Sequence, residues 1–419
     1  MRIGLIGAGQ MGTDIIVQTG LMRGIEVVAA ADAVPESVFA ACRIAGNGAR
    51  APEMADDVAA TTALINRGRL AVSPSYRNVC IAEGVDVIID ATGNPNVGAQ
   101  VALCAIAAGK HIVMMNVEAD VTIGPYLSAK AAEAGVVYTL GAGDEPSSTM
   151  ELVNFLRGLG YPIVAAGKGK NNAFKMDATP DAYVEEATRR NMNPRMLVEF
   201  VDGSKTMVEM VALANATGLV PDVPGMHGPD APLDSIHKVF CPKEEGGLLS
   251  RKGVVDFTVA RGVAPGVFAV AEIRHPRLRE RMNDLQLGVG PYYTFFRPYH
   301  LTSLEVPLSA AAAVIYGQSH MRPLPTPVAE VCARAKRDLT PGETLDAIGE
   351  YCYRGFALSR TDAIVQNALP LGLAQGATIT RKIAAGDYLT YANCAPDERQ
   401  QIVRVRREQD DFLRMAAAA

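Results

Sequence analysis

The stretch Arg2-Ile3-Gly4-Leu5-Ile6-Gly7-Ala8-Gly9-Gln10-Met11-Gly12 decides the fold. An apolar run stops at a Gly-x-Gly-x-x-Gly turn and continues into a helical pattern. Each glycine has its own reason. Gly7 permits the tight turn, Gly9 lets a ligand approach the backbone, and Gly12 lets helix and strand pack closely. The free amides and the dipole at such a helix start favour an anion. Gly7, Gly9, Gln10, Met11 and Gly12 are therefore candidate contacts for the pyrophosphate of a dinucleotide.

Working outward, EVVAAAD (26–32) reads as a second strand ending in Asp32, twenty residues after Gly12. A carboxylate there accepts hydrogen bonds from adenosine ribose hydroxyls. The next residues, Ala33, Val34 and Pro35, offer no positive charge, so NAD is favoured over NADP, although Arg43 could reach in from the next helix. A helix cap is the alternative reading of Asp32. DVIIDATGNP (86–95), HIVMMN (111–116) and VVYTLGAG (136–143) read as further strands, with helical patterns over 97–109 and 124–135. Apolar strands alternating with helices predict a doubly wound parallel sheet of the Rossmann type. The stretch 46–84 is expected to add helices between the second and third strands. Ligands in such sheets bind beyond the carboxyl ends of strands. That makes Thr92, Gly93 and Asn116 candidate contacts for the ribose or carboxamide, and Glu118 either a catalytic or substrate-facing acid or a first-turn helix acid.

From about residue 146 the rhythm becomes α+β. The sequence predicts a helix over 150–160, a strand at 161–172 running into a polar loop, one long helix over 194–219, two strands within 253–273, and a strand, turn and apolar helix over 292–317. GQSHMRPLPTP (317–327) resembles a linker, and short strands with turn signals follow it. The expected division is 1–145, the NAD(P)-binding Rossmann domain; 146–325, an α+β catalytic and oligomerisation domain; 326–395, a small β-rich domain; and 396–419, a tail with a frayed helix.

The middle region supplies charge. Lys168 and Lys170 lie two apart after a strand and project to one side, beside Asn171 and Asn172. Such a cluster suits phosphate or carboxylate, with a solvated basic loop as the alternative. Asp202, Lys205 and Glu209 share one face of the predicted long helix, among apolar neighbours that turn the face toward a cleft. A lysine there can move a proton as hydride moves. His300 reads as a core histidine or a pocket residue, and Asp144 with Glu145 as a helix start or a divalent-cation pair.

The 419 residues are 49% hydrophobic and 20% charged with net charge −5, which suits a buried core and argues against a broad nucleic-acid face. No apolar run reaches the ~18 residues that span a bilayer. No signal-peptide pattern opens the chain, and the seven scattered cysteines form no CxxC pair, so a reducing cytoplasm is expected.

These residues resemble the homoserine-dehydrogenase-like oxidoreductases that carry a C-terminal SAF domain, the group of 1-deoxy-D-xylulose 5-phosphate reductoisomerase-like enzymes. The shared stretches are DATGNPNVG (90–98), GKHIVMMNVEAD (109–120), VAAGKGKNN (164–172), FVDGSKTMVEMVALANATGL (200–219) and RPYHLTSLEVP (297–307). The SAF resemblance rests on 333–346 and 369–390. The resemblance implies a nicotinamide-dependent oxidoreductase, a homodimer or homotetramer, that transfers a hydride between the nicotinamide and a small polar keto or hydroxy substrate, in the reductoisomerase-like members a phosphorylated ketose that is rearranged and then reduced. It implies that Lys168, Lys170, Asp202 and Lys205 line the substrate site, and that a divalent metal can take part. A catabolic dehydrogenase of a polyol or hydroxy acid on the same scaffold is the alternative. A non-catalytic SAF-type binding or assembly protein is the competing reading from another class.

Overall fold

The computed structural model describes residues 1–172 and 174–418, and Ala419 at the end of the expected tail helix lies outside the described residues. The chain forms two compact units that interleave in sequence. The first holds Met1–Ser147, Leu301–Pro325 and Gln400–Ala419, the second Ser148–His300 and Thr326–Arg399.

The first unit is built on a seven-stranded parallel sheet. Its strands are β1 (Arg2–Ile6), β2 (Glu26–Ala31), β3 (Pro52–Met54), β4 (Leu70–Ser73), β5 (Val87–Asp90), β6 (His111–Met114) and β7 (Tyr138–Leu140). The order is β3-β4-β2-β1-β5-β6-β7, so the chain leaves β1 to one side and later returns to its other side at β5. Every residue of β4 and β5 is buried, as strands covered on both faces require. The sheet is the expected Rossmann type. The stretch 46–84 gives two strands, β3 and β4, as well as helices, where only helices were expected. β3 is a three-residue edge strand opening on Pro52, and β4 is four residues long, too short for a periodicity to show.

Two later segments complete this unit. Val306 and Ala310, in the helix Val306–Tyr316, join the core of Ile3, Leu5, Ile89 and Val113. The helix Gln401–Ala418 reaches the Thr122 carbonyl through Arg406 and Gln409, both at 3.1 Å. The linker-like stretch 317–327 is pinned rather than free. Met321 is buried, and its carbonyl accepts the Leu140 amide of β7 at 2.8 Å.

The second unit has a mixed five-stranded sheet of β8 (Ile163–Gly169), β9 (Val220–Pro221), β10 (Val254–Thr258), β11 (Val267–Glu272) and β12 (Tyr292–Arg297), in the order β12-β11-β8-β10-β9. β8 runs parallel to β10 and antiparallel to β11, and every one of its residues is buried. Beyond residue 326 an antiparallel pair, β13 (Ala329–Ala335) and β14 (Tyr353–Ser359), is followed by short bridges and turns.

The single long helix expected over 194–219 is two helices, Pro194–Val201 and Ser204–Thr217. Gly203 separates them at φ +87°, a left-handed conformation that an α-helix cannot pass through. No helix among the described residues is long and apolar enough to cross a membrane.

Candidate active site

In the first unit the glycine turn joins β1 to the helix Gln10–Leu21. Gly7 sits at φ +94°, and a Cβ there would stand 2.8 Å from the Ala91 carbonyl oxygen. A Cβ on Gly12 would stand 2.0 Å from the Gly7 carbonyl oxygen, so turn and helix meet backbone to backbone. Gly9 is different, because nothing lies within 4 Å of where its Cβ would be. Gly9 and Gln10 are exposed and Met11 is half-buried. The helix has no side-chain cap and no acid in its first turn, which leaves its first amides as donors. Open space over uncapped amides is the environment a pyrophosphate needs, so the residues fit a dinucleotide.

Asp32 follows β2. Its Oδ2 accepts the Ala8 amide at 2.8 Å and its Oδ1 the Val34 amide at 2.9 Å. These bonds fix the carboxylate beside the turn while each oxygen keeps a lone pair for a hydroxyl donor. The next helix, Glu36–Ala45, has Pro35 at its N-cap and no side-chain cap bond, so Asp32 does not cap it.

Beyond β5, the Thr92 amide and hydroxyl both donate to Asp90 Oδ1, at 2.9 and 2.6 Å. Burial pushes the Asp90 carboxyl up to about 6, and the Thr92 bonds oppose that rise. Asn116 is completely buried. Its Nδ2 donates to the Asn94 carbonyl at 2.8 Å, and its Oδ1 accepts the Ala119 amide at 3.1 Å. It thereby caps the helix Val117–Glu133 and braces the ends of two strands. Gly93 is exposed and Thr92 half-buried, so these two present surface where Asn116 does not. Glu118 is buried in the first turn of that helix, and Glu145 is the first residue of the helix Glu145–Gly158, with Asp144 just before it.

The second unit gathers the remaining candidates. Lys168, near the end of β8, pairs with Glu209, and both are buried. Lys170, two residues on, is also buried. Its ammonium donates to the Phe200 carbonyl at 2.6 Å and the Asn172 carbonyl at 3.2 Å. Burial lowers Lys170 to about 8, and the charge of Lys168 adds to the fall. Asp202 caps the end of Pro194–Val201, and its Oδ1 accepts the Ser204 amide at 2.8 Å. Asp202 is thus not on a continuous helical face with Lys205 and Glu209, because Gly203 intervenes. Lys205 is half-buried in the first turn of Ser204–Thr217, and Glu209 lies one turn on. His300 Nδ1 is engaged with the Pro265 carbonyl at 2.7 Å.

Two residues escape sequence reasoning. Lys336, just past β13, lies 2.7 Å from Asp202 Oδ2, with both side chains inaccessible to solvent. Burial pushes the Asp202 carboxyl up, and the Lys336 ammonium works against that rise. Arg354, on β14, is buried and donates to Met176 Sδ at 3.0 Å. Neither has a spacing relation to the segment it meets, and only the fold brings them there.

Residues 143–306 match the family model described as oxidoreductase DRL, catalytic domain. No curated protein matches the chain. Among solved structures, a probable dehydrogenase from Thermotoga maritima is 13% identical, with 76% of this chain and 90% of that one covered at a TM-score of 0.43. The scyllo-inositol dehydrogenase from Lactobacillus casei, solved with NAD(H) and scyllo-inositol, is 16% identical over 65% of this chain and 73% of that one, at a TM-score of 0.37. The parallel sheet, the glycine turn and the family match define an NAD(P)-dependent oxidoreductase.

Proposed function

We propose that the chain transfers a hydride between a nicotinamide dinucleotide and a small polar keto or hydroxy substrate, with NAD preferred. Asp32 carries this reading: its carboxylate is held against the glycine turn by the Ala8 amide, where it would accept ribose hydroxyls and repel a ribose phosphate. The bound nicotinamide supplies or receives the hydride. The chain's own residues do the rest. Gly7, Gly9, Gln10, Met11 and Gly12 hold the pyrophosphate, and Thr92 and Gly93 border the ribose.

In the second unit Lys170, lowered to about 8, gives or takes the proton at the substrate oxygen. Lys168, held by Glu209, stabilises developing negative charge on that oxygen. Asp202 and Lys336 fix the start of the helix that carries Lys205. A phosphorylated ketose is the substrate in the reductoisomerase-like form of this reading, where a divalent metal takes part and residues 326–395 act as an SAF-like unit. The preference for NAD favours a second form, catabolic oxidation of a polyol or hydroxy acid.

The test is an absorbance screen at 340 nm. Phosphorylated ketoses are offered with NADH and NADPH, and polyols and hydroxy acids with the oxidised cofactors. Turnover with one class, lost in Lys170→Met, supports the proposal. Turnover undiminished by that change removes Lys170 from it.

A further inference from the structure

Cys80 and Cys104 stand twenty-four residues apart in sequence and meet within the first unit. Cys80 lies in the helix Tyr76–Ile81 and is buried, and Cys104 lies half-buried in the neighbouring helix Pro95–Ala107. The Cys80 thiol donates a hydrogen bond to the Cys104 sulfur. Arg77 stands three residues before Cys80, on the same face of its helix, and its charge acts on Cys104. Cys104 is reached from outside through a groove of about 520 Å³, which Tyr76, Arg77, Gln100, Leu103 and Gln401 also line.

These contacts divide the two sulfurs by chemistry. The bond from Cys80 holds the Cys104 thiol down at about 7 against its partial burial, and the Arg77 guanidinium adds to the fall. The same bond pushes Cys80 up, together with its burial and the charges of Cys104 and Asp90. Burial likewise pushes up the thiols of Cys42, Cys241, Cys352 and Cys394. At pH 7 about half of the Cys104 side chain is then thiolate, against roughly 3% of a free cysteine. The thiolate is the nucleophile, and it stands on the open side of the pair with the neutral thiol behind it. An accessible acidic thiol beside a second thiol that can resolve it is the arrangement that oxidation selects.

We propose that Cys104 and Cys80 are a peroxide-oxidised thiol pair, Cys104 the attacking sulfur and Cys80 the resolving one, which closes a disulfide between the helices Tyr76–Ile81 and Pro95–Ala107. This goes beyond the oxidoreductase reading and does not rest on it. The Cys104 thiolate attacks one oxygen of a hydroperoxide. The S–O bond forms, the O–O bond breaks, and the departing oxygen takes a proton, leaving a sulfenic acid. The Cys80 sulfur then attacks Cys104. The S–S bond forms, the S–O bond breaks, and hydroxide leaves with the Cys80 proton as water. Two thiols lose two electrons, and the peroxide gains them. In a reducing compartment such a bond is transient, and thiols restore the pair.

The test is thiol mapping of the reduced full chain treated with a few equivalents of hydrogen peroxide. Trypsin with an aspartate-directed protease leaves Cys80 in residues 78–85 and Cys104 in residues 90–110. The wild type should yield these two peptides joined, and dithiothreitol should part them. Cys80→Ser should stop at a sulfenic acid on Cys104, trapped by dimedone, and Cys104→Ser should resist the same dose. Arg77→Met, an exposed position that leaves both sulfurs in place, should slow the oxidation threefold or more. Iodoacetamide at pH 7 needs no variant to fold and should modify Cys104 of the wild type before the other cysteines. Wild type whose two peptides stay separate and unmodified after peroxide overturns the proposal. So does iodoacetamide reacting first at another cysteine, or Cys104→Ser oxidising at Cys80 as fast as the wild type.

Discussion

The Asp202 carboxylate and the Lys336 ammonium stand 2.7 Å apart with both side chains shut off from solvent. The pair joins the break between two helices to a segment that begins beyond residue 326. Removing one partner leaves the other charged and buried. Lys336→Met should therefore destabilise the fold by about 3–5 kcal/mol, and Lys336→Met with Asp202→Asn should recover part of the loss. Urea denaturation of the three proteins measures this. Equal stability of wild type and Lys336→Met would mean that water reaches the pair.

The glycine turn separates folding from binding. A methyl at Gly12 would meet the Gly7 carbonyl, so Gly12→Ala should cost about 1–3 kcal/mol through overpacking. A methyl at Gly9 meets no protein atom, so Gly9→Ala should keep wild-type stability while losing dinucleotide affinity by tenfold or more. Thermal unfolding and cofactor titration on both variants check the split. Undiminished affinity in Gly9→Ala would place the pyrophosphate elsewhere.

Buried Asp120 gives the first unit a pH signature. Burial pushes its carboxyl up to about 7, although it accepts the Tyr138 hydroxyl at 2.7 Å. An unfolded aspartate titrates near ~3.9, so between about pH 4 and 7 the folded state holds the extra proton. Stability from this group is full below the unfolded value and is lost as pH rises toward 7, with Asp90 acting in the same direction. Asp120→Asn should flatten the pH dependence of urea unfolding and be more stable than wild type at pH 8, by up to a few kcal/mol. A parallel pH dependence in the variant would contradict this.

Lys170 predicts a kinetic signature. Because burial and Lys168 lower it to about 8, oxidation, which needs a proton acceptor, should accelerate as pH rises through about 8. Lys170→Met should lose that limb of the profile. A profile that keeps it assigns the proton to another group.

How far the sequence can be read follows from the distances along the chain. Gly7, Gly9, Gly12 and Asp32 belong to one strand-helix-strand unit whose local pattern fixes its geometry, and the Ala8–Asp32 bond lies where that pattern places it. Asn116 was legible as a strand-end residue but not as a buried helix cap, because burial is a property of the packed sheet. The break at Gly203 was present in the Asp202-Gly203 dipeptide, a turn signal outweighed by apolar residues on either side. Lys336 and Arg354 carry no local sign of their partners. Nor do Val306–Tyr316 and Gln401–Ala418, helices whose return to the first sheet rests on contacts made far along the chain.

The central claim is that Asp32 at the glycine turn receives the ribose of a nicotinamide dinucleotide. The most direct measurement is calorimetric titration of wild type and Asp32→Ala with NADH and with NADPH. The account predicts that the wild type binds NADH more tightly than NADPH, and that Asp32→Ala weakens NADH about tenfold or more while leaving NADPH unchanged or improved. Failure of both cofactors to bind the wild type, or an equal loss for both in Asp32→Ala, would contradict it.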